Sequence, residues 1–307
     1  MMNKVVVIVG PTGIGKTKLS IELAKFLNSE VINGDAFQIY KGMDIGTAKV
    51  TEEEKDGVPH HLFDICEVDE TFSAFDYQIK CREKLKELHD KNIIPVIVGG
   101  TGLYLKCALY DYKFVEESNP IDMSEYEKLD NQSLYNKLLE LDEEAAKKTH
   151  PNNRRRVMRS LQICLSVEGN KSDLIASQEH KLLYDVKFVG LETSREVLYD
   201  RCNRRVDIML DQGLEKEVRD LYEKYKDKKN LTSFQAIDYK EFFDYFEGKM
   251  SKEEAIELVK KNTRNYVKRQ YTWFKRQVDA TWYDVNFEDF SQTVRAICDD
   301  LKEWSHE

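Results

Sequence analysis

No apolar run in this 307-residue chain approaches the ~20 residues that a membrane-spanning helix needs. The apolar stretch near its start, Lys4 to Gly10, is too short for a secretory leader and runs directly into a glycine-rich turn. Paired cysteines are also missing. Cys66, Cys81, Cys107, Cys164, Cys202 and Cys298 lie scattered with no C-x-x-C spacing, which argues against a zinc site or a disulfide framework and for reduced thiols. The expectation is a soluble, cytoplasmic protein. Positive charge is not in excess either: 47 Lys and Arg stand against 56 Asp and Glu, a formal charge of -9. That argues against a protein that coats nucleic acid nonspecifically, although local basic patches decide whether nucleic acid is a substrate. No internal repeat and no low-complexity linker occurs, and the length suits one large domain plus a smaller one.

What is present is a phosphate loop, Gly10-Pro11-Thr12-Gly13-Ile14-Gly15-Lys16-Thr17. It follows the β-branched run Val5–Val9 and opens a helical pattern with Leu19, Leu23 and Leu27 at i, i+4 and i+8. In such a loop the glycines let backbone N–H groups close around phosphate oxygens, and the helix N-terminus adds positive potential. Lys16 can bond a terminal phosphate and Thr17 can hold Mg²⁺. The motif implies a bound diphosphate or polyphosphate, without saying which.

Strand and helix patterns alternate through the first hundred residues: strands at Val5–Val9, Glu30–Asn33 and Ile93–Val98, helices at Lys16–Asn28 and Ala74–Lys91. This predicts an α/β fold with a P-loop-type parallel sheet, crossover helices and ligands at the carboxyl ends of the strands. Residues 112–184 read as a charged, helical insertion, with Leu134–Lys147 as one segment, set into a core of residues 1–111 and 185–307. Val186–Leu191 is a further core strand, Trp282–Val285 a short one, and the C-terminal part is otherwise helical, ending near Phe287–Trp304.

Three strand ends converge in this reading: Gly10–Thr17, Asp35, and Gly99–Gly102. Asp35 is placed to act as metal ligand or general base, or equally as a turn cap. Met43–Lys49 suits a substrate loop or a plain surface loop. The third strand ends in Gly99-Gly100-Thr101, where a Walker-type ATPase usually carries an Asp. Glycines and a hydroxyl there suit a bulky substrate lying over the diphosphate. Arg155, Arg156 and Arg159 start a helix whose Val157 and Leu161 face a core, and such a cluster suits phosphate, an RNA backbone or, equally, a plain solvated face. Further on, Lys261, Arg264, Lys268, Tyr271 and Lys275 share one helical face, while Val259, Tyr266, Gln270 and Trp273 lie on another. No acidic residue interrupts the basic stripe, so RNA backbone binding is the better reading.

Together these segments closely resemble the tRNA dimethylallyltransferase (tRNA isopentenyltransferase) family, bacterial type. The resemblance rests on the phosphate loop, Asp35–Tyr40, Gly42–Lys49, Pro59-His60-His61-Leu62-Phe63-Asp64, Gly99–Tyr104, Asn152–Leu161 and Arg264–Gln270, in order over nearly the whole chain. It implies transfer of a dimethylallyl group from dimethylallyl diphosphate to the 6-amino group of the adenosine 3′-adjacent to the anticodon, with Mg²⁺ as cofactor. By that resemblance Gly10, Pro11, Thr12, Gly13, Ile14, Gly15, Lys16 and Thr17 hold the diphosphate, with Thr17 on the metal. Asp35 takes the amine proton, and Thr101 supports the adenosine or bridges to the diphosphate. Contacts to tRNA fall to Asp35, Ala36, Phe37, Gln38, Thr101, Arg155, Arg156, Val157, Met158, Arg159 and Lys268. A monomer is expected. Ala36 stands where serine is usual, Asn153 where aspartate is common, and Asp238 where glycine is usual. The competing readings are an adenylate isopentenyltransferase using free AMP or ATP, a P-loop small-molecule kinase, and a non-catalytic RNA-binding protein.

Overall fold

The computed structural model describes residues 3–114, 121–166, 180–228 and 230–306. It divides into two compact units, Met1–Leu109 with Tyr184–Glu307, and Tyr110–Leu183.

The first unit is built on a six-stranded sheet in the order β3-β2-β4-β1-β5-β6. Its strands are β1 (Lys4–Val9), β2 (Val31–Asn33), β3 (His60–His61), β4 (Val96–Val98), β5 (Asp185–Glu192) and β6 (Thr281–Asp284). Every neighbouring pair is parallel. The central position of β1 follows from its composition: Val5 to Val9 are all at 0 % exposure, as a strand covered on both faces requires. Register places Val6 beside Val96 on one side and Lys187 on the other. The carboxyl ends of β1, β2 and β4 therefore meet at one edge.

Around the sheet lie α1 (Lys16–Phe26), α2 (Glu52–Lys55), α3 (Ala74–Asp90) and α4 (Gly102–Leu109) from the first half of the chain. After the second unit come α9 (Arg195–Asp211), α10 (Leu214–Lys224), α11 (Lys240–Phe246), α12 (Lys252–Gln277) and α13 (Phe290–His306). Ser73 and Ser251 close α3 and α12 with capping boxes to Asp76 and Glu254, which explains why both long helices begin where they do. One core joins β1 to α1 and α13 through Ile8, Leu19, Leu23, Ile297 and Leu301. A second, aromatic core gathers Tyr40, Phe234, Tyr239, Phe242 and Val259.

The second unit contains α5 (Ser124–Glu127), α6 (Asn131–Leu141), α7 (Glu143–Lys147) and α8 (Arg154–Ser166). The single segment expected over Leu134–Lys147 is two helices. Asp142 breaks it, because its side chain turns back to accept the Ala145 N–H at 2.9 Å and caps the second helix. The parts of the expected insertion at 115–120 and 167–179 lie outside the described residues.

Candidate active site

The phosphate loop forms a turn between β1 and α1. Gly15 stands at the N-cap of α1 with φ 105°, a left-handed geometry that a side chain disfavours. No side chain caps this helix end, so its N–H groups remain directed at the loop interior. Lys16 Nζ donates to the Pro11 carbonyl at 2.8 Å. Burial, and then the positive charge of Arg205, push the Lys16 ammonium down to about 8. A cation held in that state gains from any anion brought beside it.

Asp35 lies just past β2 and is held by Asn33, a buried residue that sequence reasoning did not single out. Asn33 Oδ1 accepts the Asp35 N–H at 2.8 Å, and its Nδ2 donates to the carbonyls of Asp35 and Leu62, each at 3.0 Å. The turn-cap reading of Asp35 applies. Its Oδ1 accepts the Phe37 N–H at 2.9 Å, as a turn cap does, while Oδ2 sits on the Gly100 side. Burial raises the Asp35 carboxyl above the ordinary range, opposed by the Phe37 N–H and by Lys16. A carboxyl whose proton affinity is raised is better suited to accepting a proton than an ordinary one.

Gly99 and Gly100 are required by the protein's own packing, and both also line the crevice. A Cβ at Gly99 would collide with the backbone of Gly34, and one at Gly100 with the side-chain nitrogen of Gln270. Thr101 Oγ1 accepts the Ala36 N–H at 3.0 Å, so this hydroxyl ties the Asp35 loop to the start of α4. Gln270 of α12 clasps two strand ends: its Oε1 accepts the Thr12 N–H at 2.9 Å and its Nε2 donates to the Gly100 carbonyl at 3.2 Å. The helical spacing places it only on the face away from the basic stripe.

The crevice so formed has a volume of about 340 Å³, within the range of small-molecule sites. Its lining brings together Thr12, Gly13, Gly15, Lys16, Thr17, Asp35 and Gln38 with Arg201, Arg205, Tyr266 and Gln270. Arg201 and Arg205 come from α9, and neither was among the expected site residues. The sequence shows Arg195, Arg201, Arg204 and Arg205 recurring on this helix, but nothing local separates the two crevice arginines from solvated ones. Arg201 is committed to the Gly13 carbonyl at 3.1 Å and lies 3.8 Å over the Phe287 ring. Arg205 is half-buried and makes no hydrogen bond among the described residues, so its donors are open to an anion.

Met43–Lys49 is a fixed loop. Glu217 of α10 accepts the N–H groups of Asp44, Ile45 and Gly46 at 2.8–3.1 Å and the Tyr239 hydroxyl at 2.6 Å. Lys49 is buried between Asp44 and Asp64, each at 2.6 Å. Gln38 donates its amide to the Thr47 and Ala48 carbonyls, so part of its capacity is spent on this loop. We expect Glu217→Ala to lower folding stability by about 2–3 kcal/mol, because it strands backbone donors that now reach a carboxylate. Urea denaturation checks this, with Glu217→Gln recovering part of the loss.

The basic stripe on α12 differs from its sequence reading. The buried positions are Ala255, Val259, Thr263, Val267, Gln270 and Phe274. Lys275 is not free of acidic partners, since Glu192 of β5 meets it at 2.6 Å. Arg264 turns to Asn203 at 2.6 Å, and Tyr271 accepts the Thr193 N–H at 3.1 Å. The open basic surface is a neighbouring groove of Asn265, Lys268, Arg269, Thr272, Trp273 and Arg276. In the second unit Arg155, Arg156 and Arg159 are exposed on α8. Arg154 is structural, donating to the Glu127 and Leu129 carbonyls at 2.6 Å. Val157 is fully buried among Leu134, Leu138 and Leu161, so its side chain serves the core and is withdrawn from any RNA; Met158 is packed against the same cluster.

Residues 38–277 match the model of the family described as IPP transferase. The chain belongs to the IPP transferase family. It is 49% identical over 301 residues to a tRNA dimethylallyltransferase of Bacillus cereus, covering 96% of this chain and 94% of that one. A tRNA dimethylallyltransferase of Bacillus anthracis is likewise 49% identical, over 96% of this chain and 95% of its own. These alignments cover almost the whole chain, although the family match begins only at residue 38. Among solved structures, the tRNA isopentenylpyrophosphate transferase of Bacillus halodurans aligns with a TM-score of 0.75 at 40% identity, covering 99% of this chain and 100% of that one. A eukaryotic dimethylallyltransferase described as acting on tRNA aligns with a TM-score of 0.87 at 32% identity, covering 98% of this chain and 80% of its own. The sheet of this IPP transferase family member is thus the α/β P-loop type expected from its strand pattern. No helix among the described residues is long and apolar enough to cross a membrane.

Proposed function

We propose that this protein transfers a dimethylallyl group from dimethylallyl diphosphate to the 6-amino group of the adenosine 3′-adjacent to the anticodon of tRNA, releasing diphosphate. The observation that carries the reading is the crevice itself, where the phosphate loop, two arginine-bearing turns of α9 and one raised carboxyl face the same space. Carbon–oxygen cleavage at the allylic carbon needs the leaving diphosphate neutralised. The loop N–H groups, Lys16 and Arg205 supply that charge. An exocyclic adenine amine is a weak nucleophile, so the new nitrogen–carbon bond forms only as the amine proton is taken up, and Asp35 Oδ2 is the acceptor in this reading.

Thr17 is the residue that would hold Mg²⁺, shared with the diphosphate. No group of three His, Cys, Asp or Glu capable of binding a metal occurs among the described residues. A hydroxyl plus phosphate oxygens suits Mg²⁺, which keeps several waters and seldom takes an all-protein cage. When bound it would offset negative charge on the leaving group.

The adenosine must leave its stack to enter the crevice, as base-modifying chemistry requires. Lys268 and Arg269 in the groove on α12, and Arg155, Arg156 and Arg159 on α8, are the cations proposed to meet the tRNA backbone. Incubation with unmodified tRNA, dimethylallyl diphosphate and Mg²⁺ is expected to give isopentenylated adenosine, read by mass spectrometry of nuclease digests. Unchanged adenosine in a tRNA that carries it beside the anticodon would contradict the reading.

A further inference from the structure

Transfer between two substrates requires that the groups holding them stand at a fixed spacing, and here those groups follow different strands. The phosphate loop follows β1, whereas Asp35 follows β2 and Gly100 follows β4. Backbone pairing between β1 and β4 runs from Val6–Val96 to Ile8–Val98. Beyond that point the sheet ladder does not set the distance between the loop that takes the diphosphate and the strand end that faces the amine.

A side chain from α12 spans this gap. Gln270 is 4 % exposed. Its Oε1 accepts the Thr12 N–H at 2.9 Å and its Nε2 donates to the Gly100 carbonyl at 3.2 Å, so a side-chain amide bridges the two strand ends where their pairing stops. The two partners dictate the residue type. The Thr12 N–H can only donate and the Gly100 carbonyl can only accept, and a primary amide presents the complement of each. Glutamate would present acceptors alone, lysine or arginine donors alone. Packing does not account for the amide either. Val267 and Phe274 on the same buried face are apolar, and an apolar side chain of similar volume would fill the position without desolvating a polar group.

The bridge also lies against the reacting side of the crevice. A Cβ on Gly100 would stand 2.3 Å from Gln270 Nε2 and 3.6 Å from Asp35 Oδ2, so the amide and the carboxylate approach the same residue. One turn earlier on α12, the Tyr266 hydroxyl donates to the same Gly100 carbonyl at 3.4 Å. Thr12, Asp35, Gly100, Tyr266 and Gln270 all line the crevice.

We propose that Gln270 is a positioning residue that sets the separation of donor and acceptor, holding the phosphate loop and the Gly100 strand end at the spacing from which the nitrogen–carbon bond forms. The proposal rests on the transfer reading given above. In that reading the diphosphate is held by the loop N–H groups, Lys16 and Arg205, and the amine by Asp35, so each substrate keeps its own contacts when Gln270 is changed. The loss falls on the bond-forming step, where a displacement of about 1 Å costs up to about 10²-fold.

The test uses the full chain with Mg²⁺ and unmodified tRNA. Gln270→Met keeps the length and nearly the volume but makes neither hydrogen bond; Gln270→Asn keeps the amide but is a methylene shorter and reaches one partner at a time. Single-turnover rates are measured with dimethylallyl diphosphate and tRNA both saturating. Affinity for inorganic diphosphate is read by calorimetry and affinity for tRNA by filter binding. The rate is expected to fall roughly 30- to 100-fold in Gln270→Met and roughly tenfold in Gln270→Asn, with both dissociation constants within about twofold of wild type. Thermal melts set a temperature at which the proteins compared are folded, and Gln270→Asn carries the test if Gln270→Met melts below it. An unchanged rate overturns the proposal. A loss of diphosphate or tRNA affinity as large as the loss of rate also overturns it, because Gln270 would then support one substrate site and not the spacing. Absence of transfer by the wild type under the same conditions overturns the transfer reading, and the proposal with it.

Discussion

Asp35→Asn is expected to lower kcat by about 10²–10⁴-fold, the range lost when a positioned general base is removed, while diphosphate affinity changes little. The substitution keeps an Oδ1 that accepts the Phe37 N–H, so the loop between β2 and Gln38 retains its geometry. What it removes is the oxygen on the Gly100 side that can carry the amine proton away. The pH dependence follows from the cause of the shift. Burial raises the carboxyl, so Asp35 becomes protonated at a higher pH than an exposed aspartate, and wild-type kcat should fall on the acid side as it does. That acid limb should be missing in the variant. Single-turnover rates and diphosphate titrations on the same preparation separate the two effects. Equal loss of turnover and of diphosphate affinity would assign Asp35 to the anion site.

Lys16→Ala is expected to weaken diphosphate binding by about 10²-fold at neutral pH, the effect of losing a charge-assisted bond to a desolvated anion. The free protein should lose no stability. Lys16 is half-buried, and desolvation together with the positive charge of Arg205 holds its ammonium down at about 8. Its folded pKa lies below its unfolded one. The unfolded chain therefore binds more protons between about pH 8 and 10.5, and wild-type stability rises through that window relative to the variant. Thermal melts across this range, set beside calorimetric binding, check both halves. A variant that binds diphosphate normally would remove Lys16 from the site.

These expectations also show how much of the protein was legible from its residues. The β-branched run Val5–Val9, the phosphate loop and the helix after it are local signals, and the structure places them as β1, loop and α1. Asp35 and Gly99–Thr101 were legible because strand ends in a parallel sheet converge by topology. The two-residue strand β3 was not, since His60 and His61 carry no period. Arg205, Gln270 and Glu217 were missed or given only a packing role, for a common reason. Each is a polar side chain on a helix distant in sequence, and nothing local distinguishes it from a solvated one. The stripe on α12 misled in the opposite direction, because Lys275 finds Glu192 across 83 positions of chain. Helical spacing can identify a face, but not the partner that covers it.

The most direct measurement is a competition for labelled dimethylallyl diphosphate among three acceptors, unmodified tRNA, AMP and ATP, with the full chain and Mg²⁺. The account predicts that label enters tRNA at the adenosine beside the anticodon and neither free nucleotide. Label in AMP or ATP with none in tRNA would contradict it.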